Sequence, residues 1–178
     1  MWKDFKPVLK MLLRFVLLYV VLVGAYQLYL NGHRDHGLDP LSDWVMRQVA
    51  MVQECLGYTT LLVPGQPLEE ETTYFYMNGQ YVTRMVEGCN AVSVIILFLA
   101  FIFAFYSGLR TFLFAFGGVI ILHIINVLRI AGLNLLVLHY PHYTKIGHDY
   151  FFPAIIYGTV VLLWLLWIKG FVLKSAAK

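Results

Sequence analysis

The stretch RMVEGCNAVSVIILFLAFIFAF, residues 84–105, decides the fold. It passes from Arg84 and Glu87 through one cysteine, Cys89, into an apolar run that carries no charge. A run of that length and composition reads as a membrane-spanning helix, with the thiol at the boundary between polar and apolar sequence.

The rest of the chain agrees. Of its 178 residues 60% are hydrophobic and only 13% are charged, and the mean hydropathy is +0.72. Soluble domains carry roughly half apolar and a quarter charged residues, so this composition defines an integral membrane protein whose evident partner is the lipid bilayer. The net charge of +3 gives no sign of a nucleic-acid partner, and no internal repeat, low-complexity tract or Gly-rich phosphate loop is visible.

Four segments are long enough to cross: about residues 15–30, 90–108, 111–138 and 150–168, since a hydrocarbon core of roughly 30 Å needs about 20 helical residues. The first follows a basic segment but precedes no small-residue cleavage site, so it reads as an uncleaved anchor. Lys3, Lys6, Lys10, Arg14, Arg110, Lys169, Lys174 and Lys178 all fall on one side of a four-span arrangement, which makes that side cytoplasmic. The opposite side receives the loop 31–88 and nine of the ten acidic residues. Within that loop, PLSDWVMRQVAMVQECLG predicts an amphipathic helix, with Ser42 as N-cap and Gly57 as its stop, lying on the membrane surface. TYFYMNGQYVTRMV predicts a β-hairpin turning at Asn78-Gly79. The expected fold is one membrane domain over residues 1–178: an all-α bundle of about four transmembrane helices, with an extracytoplasmic loop carrying that helix and hairpin. Glu69, Glu70 and Glu71 read as a solvated run, and Gly117-Gly118 as a site of close helix packing.

Three ionisable side chains reach one depth. Arg129 lies nineteen positions after Arg110, roughly 28 Å of helix, near the outer edge of the hydrocarbon. Counting back along the second and fourth spans places Cys89 and His148 at the same level. An arginine there either snorkels to the headgroups or faces the bundle interior; Asn126, one turn earlier on the same face, favours the interior. Asp149 stands beside His148, where it is able to orient or charge the ring. His123, deeper in the third span, reads as an interhelical hydrogen-bonding residue. His139, His142 and His148 lack a metal-ligand spacing, and no cofactor is implied. A thiol, an imidazole and a guanidinium at one depth have the chemistry for nucleophile, proton carrier and oxyanion stabiliser in attack on an acyl carbon, with a nearby cation favouring the thiolate and Glu87 opposing it. The competing reading is structural: Cys89 and Cys55 form a disulfide in a non-catalytic assembly or transport partner.

A cysteine at the start of one span, N-x-x-R-I at Asn126 to Ile130, and a histidine before the last span together resemble the exosortase/archaeosortase family. The VEGCNAVSVIILF segment is similar to the compact F-type branch. The resemblance covers roughly residues 84–168. It implies a membrane-embedded cysteine protease or transpeptidase of the bacterial inner membrane that cleaves the C-terminal sorting helix of exported proteins and transfers the new C-terminus to an acceptor. Carried over, Cys89 is the nucleophile, Arg129 binds oxyanion or substrate and His148 carries the proton, with Asn90, Asn126 and Glu87 as supporting or substrate-binding residues. Where that family commonly follows its cysteine with Ser-Gly, this chain has Asn90-Ala91.

Overall fold

The computed structural model describes residues 2–33, 37–65 and 72–172; the acidic run Glu69 to Glu71 lies outside them. Three helical segments are long and apolar enough to cross a membrane: Val8–Asn31, Leu109–His139 and Pro141–Gly170. The first belongs to α1 (Trp2–Asn31), the second is α4, and the third contains α5 (Thr144–Ile146) and α6 (Phe152–Trp167).

The stretch expected as the second span is shorter than its apolar content suggested. Here α3 (Val92–Ala104) has 13 residues, about 20 Å long, which is less than a hydrocarbon core of about 30 Å. Polar residues counted inside the span lie beyond its ends, Val92 and Ala104. Asn90 Oδ1 accepts from the Val92 N–H at 2.9 Å, and the Ser107 N–H donates to Thr111 Oγ1 at 2.7 Å, so both leave the helix to make turns. Among the described residues, three helices are long enough to span and α3 is a shorter apolar helix.

In the membrane half, α3, α4 and α6 share a core of Phe98, Ile102, Ala115, Leu122, Val160, Leu163 and Trp167. Gly118 makes the α3–α4 approach possible: a Cβ there would lie 2.2 Å from the Phe98 ring, whereas Gly117 has nothing within 4 Å. α1 packs along α3 and leaves most of its apolar side chains uncovered by protein, as a lipid-facing helix does.

The loop between α1 and α3 is not all-α and not a lone hairpin. It holds α2 (Pro40–Cys55) and a three-stranded antiparallel sheet, β1 (Thr60–Pro64), β2 (Thr72–Met77) and β3 (Gln80–Val86), in the order β1-β2-β3. The hairpin turn is as expected, with φ of 51° at Asn78 and 79° at Gly79, both in the left-handed region of a type I′ turn. Asn78 also holds β1 in place, accepting through Oδ1 from the Thr59 N–H at 3.0 Å.

Nor does α2 lie free on a membrane surface. It buries Val45, Met46 and Val49 with Phe75, Met77, Val82 and Met85 of the sheet and Val127, Ile130 and Ala131 of α4. Its N-cap is Asp39, not Ser42: the carboxylate accepts from the N–H groups of Leu41 and Ser42 at 3.0 and 3.1 Å, with Pro40 at the first helical position, a pairing that suits a helix start. Ser42 is buried and does other work. His123 Nε2 donates to Gln48 Oε1 of α2 at 2.9 Å, so its partner is the packed loop helix.

With 31 residues, α4 is about 46 Å long and outruns the hydrocarbon by several turns. Its final turns support the sheet, where Thr83 Oγ1 donates to the buried Asn134 Oδ1.

Candidate active site

Between the last strand and the short α3, residues Glu87–Asn90 form a 3₁₀ turn, and Cys89 lies on it. That turn is fastened from several sides. Asn90 Nδ2 donates to Tyr26 Oη of α1 at 2.7 Å and to Ser42 Oγ of α2 at 2.9 Å, while its Oδ1 caps α3. One buried amide thus ties three helices to the residue after the cysteine. Ala91 follows with φ +61°, the left-handed conformation that favours glycine. It is the position at which the resembled family has glycine.

The carbonyl of Cys89 is held from α4. Asn126 Nδ2 donates to it at 3.0 Å, and Arg129 Nη2 approaches it at 3.5 Å, a distance too long for a strong bond. The i, i+3 spacing puts both side chains on one helix face, and that face looks at the cysteine turn. Arg129 is directed into protein, not toward headgroups.

His148 arrives from the other side. It lies in a π-helical turn, Gly147–Phe151, closed by a bond from the Phe152 N–H to the Gly147 carbonyl just before Pro153. Gly147 lets this turn press onto α4, since a Cβ there would lie 2.3 Å from Leu136 Cδ2. His148 Nδ1 is 2.9 Å from Asp149 Oδ1. A carboxylate only accepts, so Nδ1 carries the proton and Nε2 is left as a base.

These elements enclose a cavity of about 390 Å³ lined by Cys89, Arg129 and His148 together with Phe152, Thr144 and the run Tyr81 to Met85 of β3. Its size falls within the range of small-ligand sites. Cys89 is half-buried and His148 exposed, so the cavity is more open at the histidine than at the sulfur.

Of the supporting residues named from sequence, Asn126 and Asn90 hold the backbone and do not line this cavity; Asn90 lines instead a second, almost wholly apolar pocket beside Trp44 and His123. Glu87 sits on the cysteine turn outside the lining. Cys55 and Cys89 are both free, so the bridge that would have made the thiol structural is not formed. His139 hydrogen-bonds Tyr58 Oη at 2.9 Å and His142 packs on Tyr143, both away from the cavity. Sequence reasoning missed Arg84, which lines the cavity from β3; its signal was the alternation of the strand leading into the cysteine. The chain matches no protein-family model, no curated protein and no solved structure.

Proposed function

We propose that this protein is a membrane-embedded cysteine protease or transpeptidase that cleaves the C-terminal sorting signal of exported proteins and passes the new C-terminus to an acceptor nucleophile. The observation that carries the reading is the meeting of Cys89, Arg129 and His148, from three separate elements, on one cavity with the imidazole oriented by Asp149.

The steps follow from those groups. His148 Nε2 takes the thiol proton, and the Cys89 thiolate attacks the acyl carbon of the scissile peptide bond. The oxyanion that forms is stabilised by the Arg129 guanidinium in a site of low dielectric. The C–N bond breaks, the departing amine takes the proton from His148, and a thioester remains on Cys89. An acceptor amine, hydroxyl or water then attacks the thioester, gives its proton to His148 through the same ring, and releases the thiolate.

The remaining support is sequence-based: the resemblance to exosortases over residues 84–168, and basic residues at Arg110 and Lys169, at the ends of α4 and α6 remote from the cavity. With that end cytoplasmic, the protein is a multi-pass protein of a bacterial inner membrane whose cavity faces the periplasm, where exported clients arrive.

The test is processing of a co-expressed exported client ending in an apolar helix and a basic tail. Cys89→Ala and Cys89→Ser abolish processing while the protein remains membrane-inserted and folded, and the wild type yields a hydroxylamine-sensitive adduct at Cys89 by intact mass. Undiminished processing by Cys89→Ala overturns the reading.

A further inference from the structure

We propose that the free edge of β3 receives the client as a fourth strand: an extended polypeptide segment bearing an acidic side chain, laid along Tyr81 to Met85 with its backbone leading to Cys89. This rests on the cysteine-chemistry reading for its purpose and on the sheet for its geometry.

β3 is terminal in the order β1-β2-β3, and five consecutive residues of it, Tyr81 to Met85, line the cavity. Successive side chains of a strand point to opposite faces. Val82 and Met85 are in fact buried in the core beneath, while Tyr81 and Arg84 are exposed. A run that contributes both kinds of residue to one cavity presents its edge there, and an edge offers backbone N–H and C=O groups to an incoming strand. The opposite edge is guarded, because β1 ends in Pro64, which has no N–H to offer; β3 contains no proline. In the β2–β3 ladder Tyr76 faces Tyr81 and Phe75 faces Thr83, so Val82 stands opposite no partner. That bulge twists the outer edge at the cavity wall. The strand then runs straight into the turn that carries Cys89, so a segment paired with β3 has its backbone delivered to the sulfur.

Charge sets the chemistry of the occupant. Arg84 and Arg129 line the cavity, and among the described residues no aspartate or glutamate lines it. Two guanidiniums on one cavity attract a carboxylate. An anionic lipid headgroup would satisfy the charges but leave the strand edge unpaired, whereas an extended acidic peptide satisfies both.

The probe is a fluorescent heptapeptide of alternating threonine and valine with a central glutamate, titrated by anisotropy against the detergent-solubilised Cys89→Ala protein, which binds without turnover. Three changes are expected to weaken binding at least about tenfold: central lysine for glutamate, N-methylation of alternate backbone amides, and Arg84→Glu. Arg84→Glu with the lysine peptide restores affinity. N-methylated peptides leave the protein unaltered, so a folding defect does not obscure the result. Affinity indifferent to N-methylation at every position overturns strand addition, as does absence of binding at millimolar peptide, or occupancy by short-chain phosphatidylglycerol in place of the peptide. A protein that binds the peptide in this way yet shows no Cys89-dependent processing refutes the enzymatic reading and leaves the strand-edge site standing.

Discussion

The side-chain amide of Asn126 donates to the carbonyl oxygen of Cys89 at 3.0 Å, joining the middle of one membrane helix to the turn that begins another. The bond fixes the peptide plane of the cysteine and leaves the thiol free to face the cavity. Because Asn126 is fully buried, no water replaces it when it is removed.

Asn126→Ala is expected to lower stability by about 1–3 kcal/mol, the ordinary cost of orphaning a buried partner, and to reduce client processing more than a change of equal stability remote from the turn. Asn126→Asp is expected to be worse, since a carboxylate has no N–H to donate and sets a buried negative charge against the Cys89 carbonyl oxygen. Thermal melts in detergent beside a processing assay separate the two effects; equal processing by Asn126→Ala and wild type refutes the clamp.

His148 and Asp149 give a graded pair. His148→Gln removes the proton carrier and is expected to slow thioester formation by roughly 10²–10⁴-fold. Asp149→Asn keeps the ring but replaces an acceptor-only carboxylate with an amide that can also donate to Nδ1, so the tautomer is no longer fixed, and its rate falls between that variant and wild type. Single-turnover formation of the Cys89 adduct is the measurement. An Asp149→Asn rate as low as that of His148→Gln shows a carboxylate with a role of its own.

Ala91 carries a left-handed backbone at a cost of roughly 1–2 kcal/mol relative to glycine. Ala91→Gly therefore changes stability by no more than about 1 kcal/mol, with relief of strain set against glycine's larger loss of chain freedom. Ala91→Val, β-branched at the same φ, is strongly destabilising. Melting temperatures of the two variants in one detergent decide it.

Gly118 is a packing position, so Gly118→Leu drives a side chain into the Phe98 ring and is expected to cost at least about 1–3 kcal/mol. Gly117→Ala, in open space, is near neutral. The contrast between adjacent glycines is read in the same melts.

Both cysteines are expected to react as free thiols. Non-reduced, denatured protein is expected to yield two thiols per chain, as Cys55 and Cys89 are free. In the native state a bulky maleimide labels the exposed Cys55 faster than the half-buried Cys89. A thiol count of zero restores the structural disulfide.

Much of the scaffold was legible in the sequence because apolar length is a direct requirement of the bilayer. The extent of α4 and the C-terminal end of α1 could be read from it, although α1 begins at Trp2 and not near residue 15, and so could the Asn78-Gly79 turn, whose two positive φ values few residues accept. The limit of α3 was not legible: Asn90 is a polar residue that a hydropathy window absorbs, and only its bond to Val92 shows that it precedes the helix, while the other end stops at Ala104 inside an apolar run. β1 was missed because five residues ending in proline carry little pattern of their own and pair only through partners 9 to 17 positions on. Counting residues along helices put Cys89, Arg129 and His148 at one height, and depth is what such counting measures. Azimuth is another matter. The i, i+3 spacing of Asn126 and Arg129 showed that they share a face, but which neighbour that face meets depends on tertiary contacts, as does the arrival of Arg84 from the sheet.

The unequal lengths of α3 and α4 make bilayer thickness a control on the site. A helix of about 20 Å beginning just after the thiol, bound side by side to one of about 46 Å, cannot match any single slab of lipid. In a thick membrane the cysteine turn sinks beneath the carbonyl region of the phospholipids, and in a thin one it rises to meet water. Reconstitution in phosphatidylcholines of stepped acyl length is thus expected to tune the accessibility of Cys89 to a water-borne thiol reagent, with short chains giving the faster reaction.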